Sequence, residues 1–278
     1  MISIYFYFIL IFHTEYIWSY QCLKCATKVY HHLVTIDDLL SPTYDDCNIV
    51  NGIYGCYIHL DWLADGTSEV HYTTNPDLPY DSILTVIERR VILNTNEYST
   101  QRSIGYSCRS NRSACNTIDD LKRVMNSIEF PADQIIQRFD NLIAPKDNFN
   151  GSLCSQFSNM INCPQPDLGY CRQCMSVVQY SKYLDICLTC SMEHFRRNFF
   201  TYRTIISVNI SSRSERITMT CQRGNACNSM KNIRRIKRKL TIELDFEKFY
   251  RSIASITKST VTLLLTVILT GLLLCFMC

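Results

Sequence analysis

The sequence predicts a mainly β, disulfide-rich protein of two small modules joined by a short helical linker, with an N-terminal signal peptide and a C-terminal hydrophobic tail. Three observations support this fold class. Of the 16 cysteines, 14 lie between the two hydrophobic ends of the chain. These 14 fall into two clusters that end alike, with Ala-Cys-Asn. The segments between them are rich in the aromatic and β-branched residues that favour strands.

The N-terminal segment 1–19 is predicted to be a secretory signal peptide. Residues 2–12 are almost entirely apolar, whereas a membrane span needs about 20 apolar residues. No Lys or Arg precedes the apolar run, so a short buried strand or a membrane anchor is the alternative. Cleavage after Ser19 would leave a mature chain that begins at Tyr20.

The C-terminal segment 259–278 is predicted to be a hydrophobic tail that attaches the protein to a membrane. Small residues at Ser252 and Ala254, a polar spacer and the tail form the pattern of a glycolipid (GPI) anchor signal. Ser252 is then the predicted attachment site. A single-pass transmembrane helix is the alternative, because the tail is just long enough to span a bilayer.

The cysteine count predicts a disulfide framework without a cofactor, because the thiols of exported chains are oxidised in the secretory pathway. The first cluster comprises Cys22, Cys25, Cys47, Cys56, Cys108 and Cys115. The second comprises Cys154, Cys163, Cys171, Cys174, Cys187, Cys190, Cys221 and Cys227. Two C-x-x-C pairs in the second cluster also have a spacing that suits zinc. Export favours disulfides there, so no metal is predicted.

Strand and helix signals place the elements in order. Residues 56–74 contain Asp65-Gly66 between two aromatic and β-branched runs, which predicts a β-hairpin. They belong to a first module at 20–116, and similar runs fill a second module at 151–228. In the linker at 117–150, Ile118, Leu121, Val124, Met125 and Ile128 are at helical spacing.

The segment 229–258 is predicted to be a basic stalk. Six of the nine residues 231–239 are Lys or Arg, a run that could bind an acidic glycan or lipid. Arg238 ends a pattern that proprotein convertases cleave. Residues 240–246 alternate apolar and polar side chains, which predicts a half-buried strand. The net charge of +3 gives no indication of nucleic-acid binding.

The stretches "YQCLKC", "YGCYIHLDW" and "ACN" resemble the three-finger domains of the urokinase-receptor and lymphocyte-antigen family. The resemblance covers residues 22–116 and 154–228 and implies β-hairpin fingers that project from a disulfide hub. It implies that Asn116 and Asn228 close the two hubs. The implied disulfides are Cys22–Cys56, Cys25–Cys47, Cys108–Cys115 and Cys221–Cys227. The pairing of the other six cysteines stays open, and neither module has the adjacent Cys-Cys that is usual in the family.

The remaining residues indicate binding and not catalysis. No set of nucleophile, base or metal ligands matches a known catalytic motif, so we expect no enzyme activity. Three sequons predict glycosylation at Asn111, Asn150 and Asn209 if the chain is exported. Trp62 and Leu63 near the second fingertip are the candidate binding surface, because aromatic residues often anchor interfaces. Alternatively, Trp62 packs across its own hairpin.

We therefore expect a cell-surface protein on the extracellular face of the plasma membrane, bound to the membrane by its tail. It would recognise a protein ligand or receptor through its fingers, as a co-receptor or as a modulator of a receptor or channel. Two alternatives remain. One is a secreted, toxin-like effector released by proteolysis near Arg238. The other is a tail-anchored zinc-binding protein.

Overall fold

The computed structural model describes residues 20–42, 47–52, 55–74, 78–79, 81–109, 113–145, 149, 151–165, 171–191, 197–223 and 226–251. The signal peptide at 1–19, the sequons at Asn111 and Asn150, the anchor residue Ser252 and the tail lie outside these residues. Within the described ranges, no helix is both long and apolar enough to cross a membrane.

The described chain is mainly β. Its strands are β1 (Tyr20–Cys25), β2 (Lys28–Tyr30), β3 (Cys47–Gly52), β4 (Cys56–Trp62), β5 (Ser68–Thr74), β6 (Ser82–Ile92), β7 (Glu97–Cys108), β8 (Phe157–Ser158), β9 (Gln173–Tyr180), β10 (Leu184–Ser191), β11 (Arg197–Ser207) and β12 (Ser212–Cys221). Its helices are α1 (Ile118–Asn126), α2 (Asp133–Gln137), α3 (Asp140–Ile143) and α4 (Met230–Leu240). Residues 246–251 are also helical.

Ten of the strands form one continuous antiparallel sheet in the order β2-β5-β4-β7-β6-β11-β12-β9-β10-β8. The order follows one plan from either edge. A short edge strand comes first, then both strands of one hairpin, then both strands of another. The two halves meet where β6 pairs with β11 along its whole length, from Ser82↔Ser207 to Ile92↔Arg197. Strands β1 and β3 form a separate two-stranded sheet.

The β4–β5 hairpin confirms the prediction from Asp65-Gly66. The amide of Leu63 donates to the carbonyl of Thr67 over 2.9 Å, and Asp65 Oδ1 accepts from the amide of Thr67 over 3.0 Å. Gly66 has a φ of +86°, a value that glycine adopts without steric cost. The turn therefore sets the register in which every residue of β4 faces its partner on β5.

Alternating side chains give the sheet one buried face. Ile83, Ile87 and Val91 of β6 are completely buried, as are Phe200 and Tyr202 of β11. Because side chains alternate along a strand, Thr85 and Arg89 share this face of β6, whereas Leu84, Val86, Glu88 and Arg90 lie on the opposite face. These four residues are half-buried, so the second face of the sheet is partly open at β6.

The linker helices are part of the core. Helix α1 begins with a capping box, in which Thr117 Oγ1 accepts from the amide of Asp120 and the carboxylate of Asp120 accepts from the amide of Thr117. It buries Ile118, Leu121 and Val124, as their spacing predicts. Helix α3 contacts β6, β11 and β12, so it lies across the junction of the two half-sheets.

The segment at 229–258 differs from its prediction in the part that is described. Residues 230–240 form α4 instead of a solvated stalk, and Ile233, Ile236 and Leu240 are completely buried. The apolar residues recur at helical spacing, which the high charge of the segment obscures. The predicted strand at 240–246 is also wrong. Only a single bridge pairs Leu244 with Ile128.

Candidate functional site

Seven disulfides pair all 14 cysteines between residues 22 and 227. They include the four pairs that the resemblance implied. The pairs that the sequence left open are Cys154–Cys174, Cys163–Cys187 and Cys171–Cys190. Every cysteine of the two C-x-x-C pairs is therefore bonded to another cysteine, which leaves none of these thiolates for zinc.

Asn228 connects several segments of the second half-sheet through its side chain. Its side chain is completely buried and makes four hydrogen bonds to the backbone. Oδ1 accepts from the amide of Ser155 over 2.8 Å. Nδ2 donates to the carbonyls of Ser155, Met175 and Thr189 over 3.0, 2.9 and 3.1 Å. One side chain thus joins three separate segments.

Asn116 makes the equivalent contacts in the first half. It is also completely buried. Its Oδ1 accepts from the amide of Leu23 over 2.9 Å, and Nδ2 donates to the carbonyls of Leu23 and Tyr57 over 2.8 and 3.3 Å. Leu23 directly follows Cys22, as Ser155 follows Cys154. These contacts have the hub-closing geometry that the resemblance implies for both asparagines.

Trp62 is half-buried and held by residues outside its own hairpin. Its indole Nε1–H donates to the carbonyl of Val34 over 2.9 Å. Its ring meets Phe130 of the linker edge to face, with 5.7 Å between the ring centroids. Trp62 therefore forms the wall of a recess and does not project as a free anchor. Leu63, the other predicted residue, is half-buried at the adjoining turn.

The recess beside Trp62 has a volume of about 300 Å³. We call it the β4–β5 groove, and its main lining residues are Leu33, Trp62, Leu63, Ala64, Arg102 and Phe130. Arg102 Nη2 lies 2.6 Å from Asp133 Oδ1, which adds an ion pair to a lining that is otherwise mostly aromatic and aliphatic. Such a mixture is typical of binding sites, where apolar contact gives affinity and a few polar groups fix orientation.

A second recess lies on the other side of the same turn. Leu63 and Ala64 separate it from the β4–β5 groove, and its wall includes Arg90 and Tyr98. Tyr98 is 37% exposed, and the guanidinium carbon of Arg89 lies over its ring, 5.2 Å from the ring centroid. The turn between β4 and β5 therefore stands as a ridge between two concave surfaces.

Helix α4 carries an exposed basic face on the side opposite its buried residues. We call it the α4 basic face, and its residues are Lys231, Arg234, Arg235, Arg238 and Lys239. Lys237 differs because it pairs with Glu215 of β12. Five cations on one side of a helix create a positive potential that attracts anionic groups.

Glu215 links α4 to the sheet. Its carboxylate is buried and accepts hydrogen bonds from Lys237, Tyr202 and Arg213. Burial alone raises the pKa of this carboxyl, but the bonds from Lys237 and Tyr202 and the charge of Arg213 hold it below its usual value. Glu215 therefore remains charged, and it compensates part of the positive charge of α4.

Asn209, the sequon that lies within the described residues, is exposed at the turn between β11 and β12. Its amide Nδ2 donates to Asp81 Oδ2 over 2.5 Å. Comparison with protein-family models, curated proteins and solved structures finds no match to this chain.

Proposed function

We propose that the protein is a binding module on the extracellular face of the plasma membrane, held there by its C-terminal tail. The observation that carries this proposal is the pairing of all 14 cysteines between residues 22 and 227. Disulfides form and persist in oxidising compartments, and they are rare in reducing ones. Seven of them in one chain favour passage through the secretory pathway.

We further propose that the chain contains two three-finger-like modules, at 20–116 and 151–228, fused edge to edge through β6 and β11. Support comes from the repeated strand order and from matching disulfides. Cys22–Cys56 corresponds in position to Cys154–Cys174, and Cys108–Cys115 to Cys221–Cys227. In each half the last cysteine precedes a buried asparagine that bonds to the amide and the carbonyl of the residue after the first cysteine of the corresponding disulfide. The other disulfides differ between the halves.

In this proposal the β4–β5 groove is the recognition surface for a protein ligand or receptor. Its apolar walls and its ion pair suit a protein side chain, and Leu33 beside it is 55% exposed. The protein would act as a co-receptor, or as a modulator of a receptor or channel. The α4 basic face would add attraction to acidic glycans or lipid head groups near the membrane.

Release near Arg238 as a secreted effector is less well supported. Arg238 lies within α4, whose apolar side packs in the core. A protease binds its substrate in an extended form, so cleavage there would require the helix to unwind. Anchorage at Ser252 and glycosylation of Asn111, Asn150 and Asn209 remain part of the proposal.

Surface labelling of the full chain tests the location. Cells that express the full chain with an epitope tag placed before Tyr20 are stained without permeabilisation. We expect surface staining that a phosphatidylinositol-specific phospholipase removes. Surface staining that persists after treatment with the enzyme would indicate a membrane-spanning tail instead of a lipid anchor. An intracellular signal alone would refute the proposal.

A pair of variants tests the groove. Ala64 is exposed and lines both recesses, so Ala64→Arg blocks them without removing a core contact. Ser181→Arg places the same charge at the exposed turn between β9 and β10 and is the matched control. Multimers of the phospholipase-released protein would stain receptor-bearing cells. We expect staining to be lost with Ala64→Arg and kept with Ser181→Arg, whereas equal staining would exclude the groove.

A further inference from the structure

The open face of the β4–β5 hairpin collects four metal-ligating side chains. His59 and Asp61 alternate along β4, and Glu69 and His71 alternate along β5. The register pairs His59 with His71 and Asp61 with Glu69. Directly opposed residues point to the same face of a sheet, with Cβ atoms about 4.5–5.5 Å apart. His59, Asp61 and His71 each place one ligand atom within 4.8 Å of the others, and Glu69 adjoins His71 on the same half-buried face.

The distances between their donor atoms suit one metal ion. Nε2 of His59 lies 3.3 Å from Asp61 Oδ2, and Nε2 of His71 lies 3.8 Å from the same oxygen. Nε2 of His71 is also 3.1 Å from Glu69 Oε2. Zinc binds nitrogen and oxygen at about 2.0–2.2 Å in a tetrahedron, which separates neighbouring ligand atoms by about 3.3 Å. The ligand atoms of His59, Asp61 and His71 are within 4.8 Å of one another, so rotation of the side chains can bring them to that spacing without a change in the strand register.

The two imidazole rings lie close together, and one of them must turn before both Nε2 lone pairs can point to a single ion. They stack with 4.6 Å between centroids and 17° between planes. Nδ1 of His71 lies 3.0 Å from Thr27 Oγ1. When Nδ1 carries the proton and donates to Thr27, the lone pair of Nε2 is free for a metal, and a second-shell bond of this kind fixes the ring. Nδ1 of His59 is buried without a partner among the described residues, whereas its Nε2 faces Asp61 and is the atom within reach of the proposed ion.

We propose that His59, Asp61 and His71, with Glu69 as a fourth ligand, bind a divalent zinc ion. Imidazole and carboxylate are zinc ligands, and the two carboxylates would neutralise the charge of the ion. The four side chains are 20–32% exposed, so an ion can enter from solvent while water is partly excluded. The site is independent of the proposed binding function. It would cross-link the two strands whose turn carries Leu63 and Ala64.

Calorimetric titration of the purified full chain with zinc chloride at pH 7.4 tests the site. We expect one zinc ion per chain, and affinity at least tenfold weaker in His59→Gln and in His71→Gln. His32→Gln is the matched control, because His32 lies elsewhere and is 3.6 Å from a single carboxylate, that of Asp38. Its zinc affinity should equal that of the wild type. If the cluster has no affinity for zinc in solution, the titration will give no saturable heat. That result would overturn the proposal.

Two further measurements separate coordination from folding. Cobalt(II) in place of zinc should give the visible absorption of a tetrahedral site, and zinc should remove it. Circular dichroism in EDTA checks that the variants fold. If His71→Gln does not fold, Glu69→Gln replaces it, with an expected affinity loss of at least threefold. Wild-type affinity in the folded variants, or several equivalent ions per chain, would refute the site.

Discussion

Replacing Asn228 with alanine should destabilise the protein by about 4 kcal/mol. The substitution removes four hydrogen bonds and leaves the amide of Ser155 and the carbonyls of Ser155, Met175 and Thr189 without their partner. Each full bond contributes about 1 kcal/mol, and although three carbonyls share the two protons of Nδ2, each buried carbonyl that loses this donor adds to the cost. The site is completely buried, so water cannot easily replace the lost side chain.

Two comparison variants test whether the loss of stability follows the number of hydrogen bonds that the substitution removes. Asn116→Ala removes three bonds and should cost about 3 kcal/mol. Within the part of the chain that the structure describes, Asn232 makes a single side-chain hydrogen bond, to the carbonyl of Cys227, so Asn232→Ala should cost about 1 kcal/mol. Asn228→Asp keeps the acceptor for Ser155 but turns an oxygen towards three carbonyls, so it should be at least as destabilising as Asn228→Ala.

The assay is guanidinium unfolding followed by circular dichroism, with the disulfides intact and their number verified by mass. The denaturant midpoint should be highest for Asn232→Ala, lower for Asn116→Ala and lowest for Asn228→Ala, while the slope of the transition stays constant. If Asn228→Ala is no more destabilising than Asn232→Ala, the hub-closing role of Asn228 is wrong.

Three more predictions concern the sheet and its helices. Because its pKa is lowered, the Glu215 carboxylate contributes free energy of unfolding that is fully present above the ordinary glutamate pKa of about 4.3 and is lost as the pH falls through the pKa of the folded state. Glu215→Gln should therefore flatten the acid side of a plot of stability against pH. An unchanged curve would contradict this. Arg89→Met breaks a two-bond pair with Asp140 and should cost about 2 kcal/mol in unfolding experiments, less than for a fully buried pair because Asp140 is partly exposed. Gly105→Ala places a Cβ 2.3 Å from Tyr57 Oη and should lower stability by about 1–3 kcal/mol, whereas a neutral result would mean that Tyr57 lies elsewhere.

Local features of the fold could be predicted from the sequence because neighbouring residues encode them. Asp65-Gly66 specifies its turn through the conformational freedom of glycine, and the spacing of Ile118, Leu121 and Val124 specifies a helical face. The even cysteine count in two clusters indicated a disulfide framework. In each case the physical cause lies within a short stretch of chain, so the pattern can be recognised without the rest of the molecule.

Long-range features could not be predicted in the same way. The strand character of β6 and β11 is visible in their β-branched residues, but their pairing joins segments more than 100 residues apart. The pairing of the six cysteines between Cys154 and Cys190 depends on which strands lie next to each other. Helix α4 was missed because its basic residues outnumber the apolar ones at 233, 236 and 240.

The histidine–carboxylate cluster did leave a signal in the sequence. His59-x-Asp61 and Glu69-x-His71 are arranged symmetrically about the Asp65-Gly66 turn. Each strand alone shows only the alternation of polar residues that is common in half-exposed strands. The cluster can be recognised only when the hairpin register pairs His59 with His71 and Asp61 with Glu69. The groove beside Trp62 left no comparable signal, since Phe130 comes from the linker and not from the hairpin.

A disulfide map of the secreted chain tests the central claim most directly. The protein is alkylated without reduction, digested under non-reducing conditions and analysed by mass spectrometry. The expected result is the absence of alkylated cysteine between residues 22 and 227, with linked peptides for Cys154–Cys174, Cys163–Cys187 and Cys171–Cys190. Alkylated thiols at the two C-x-x-C pairs, with zinc in the same sample that is lost when those thiols are blocked, would contradict the claim of an exported, disulfide-bonded binding module.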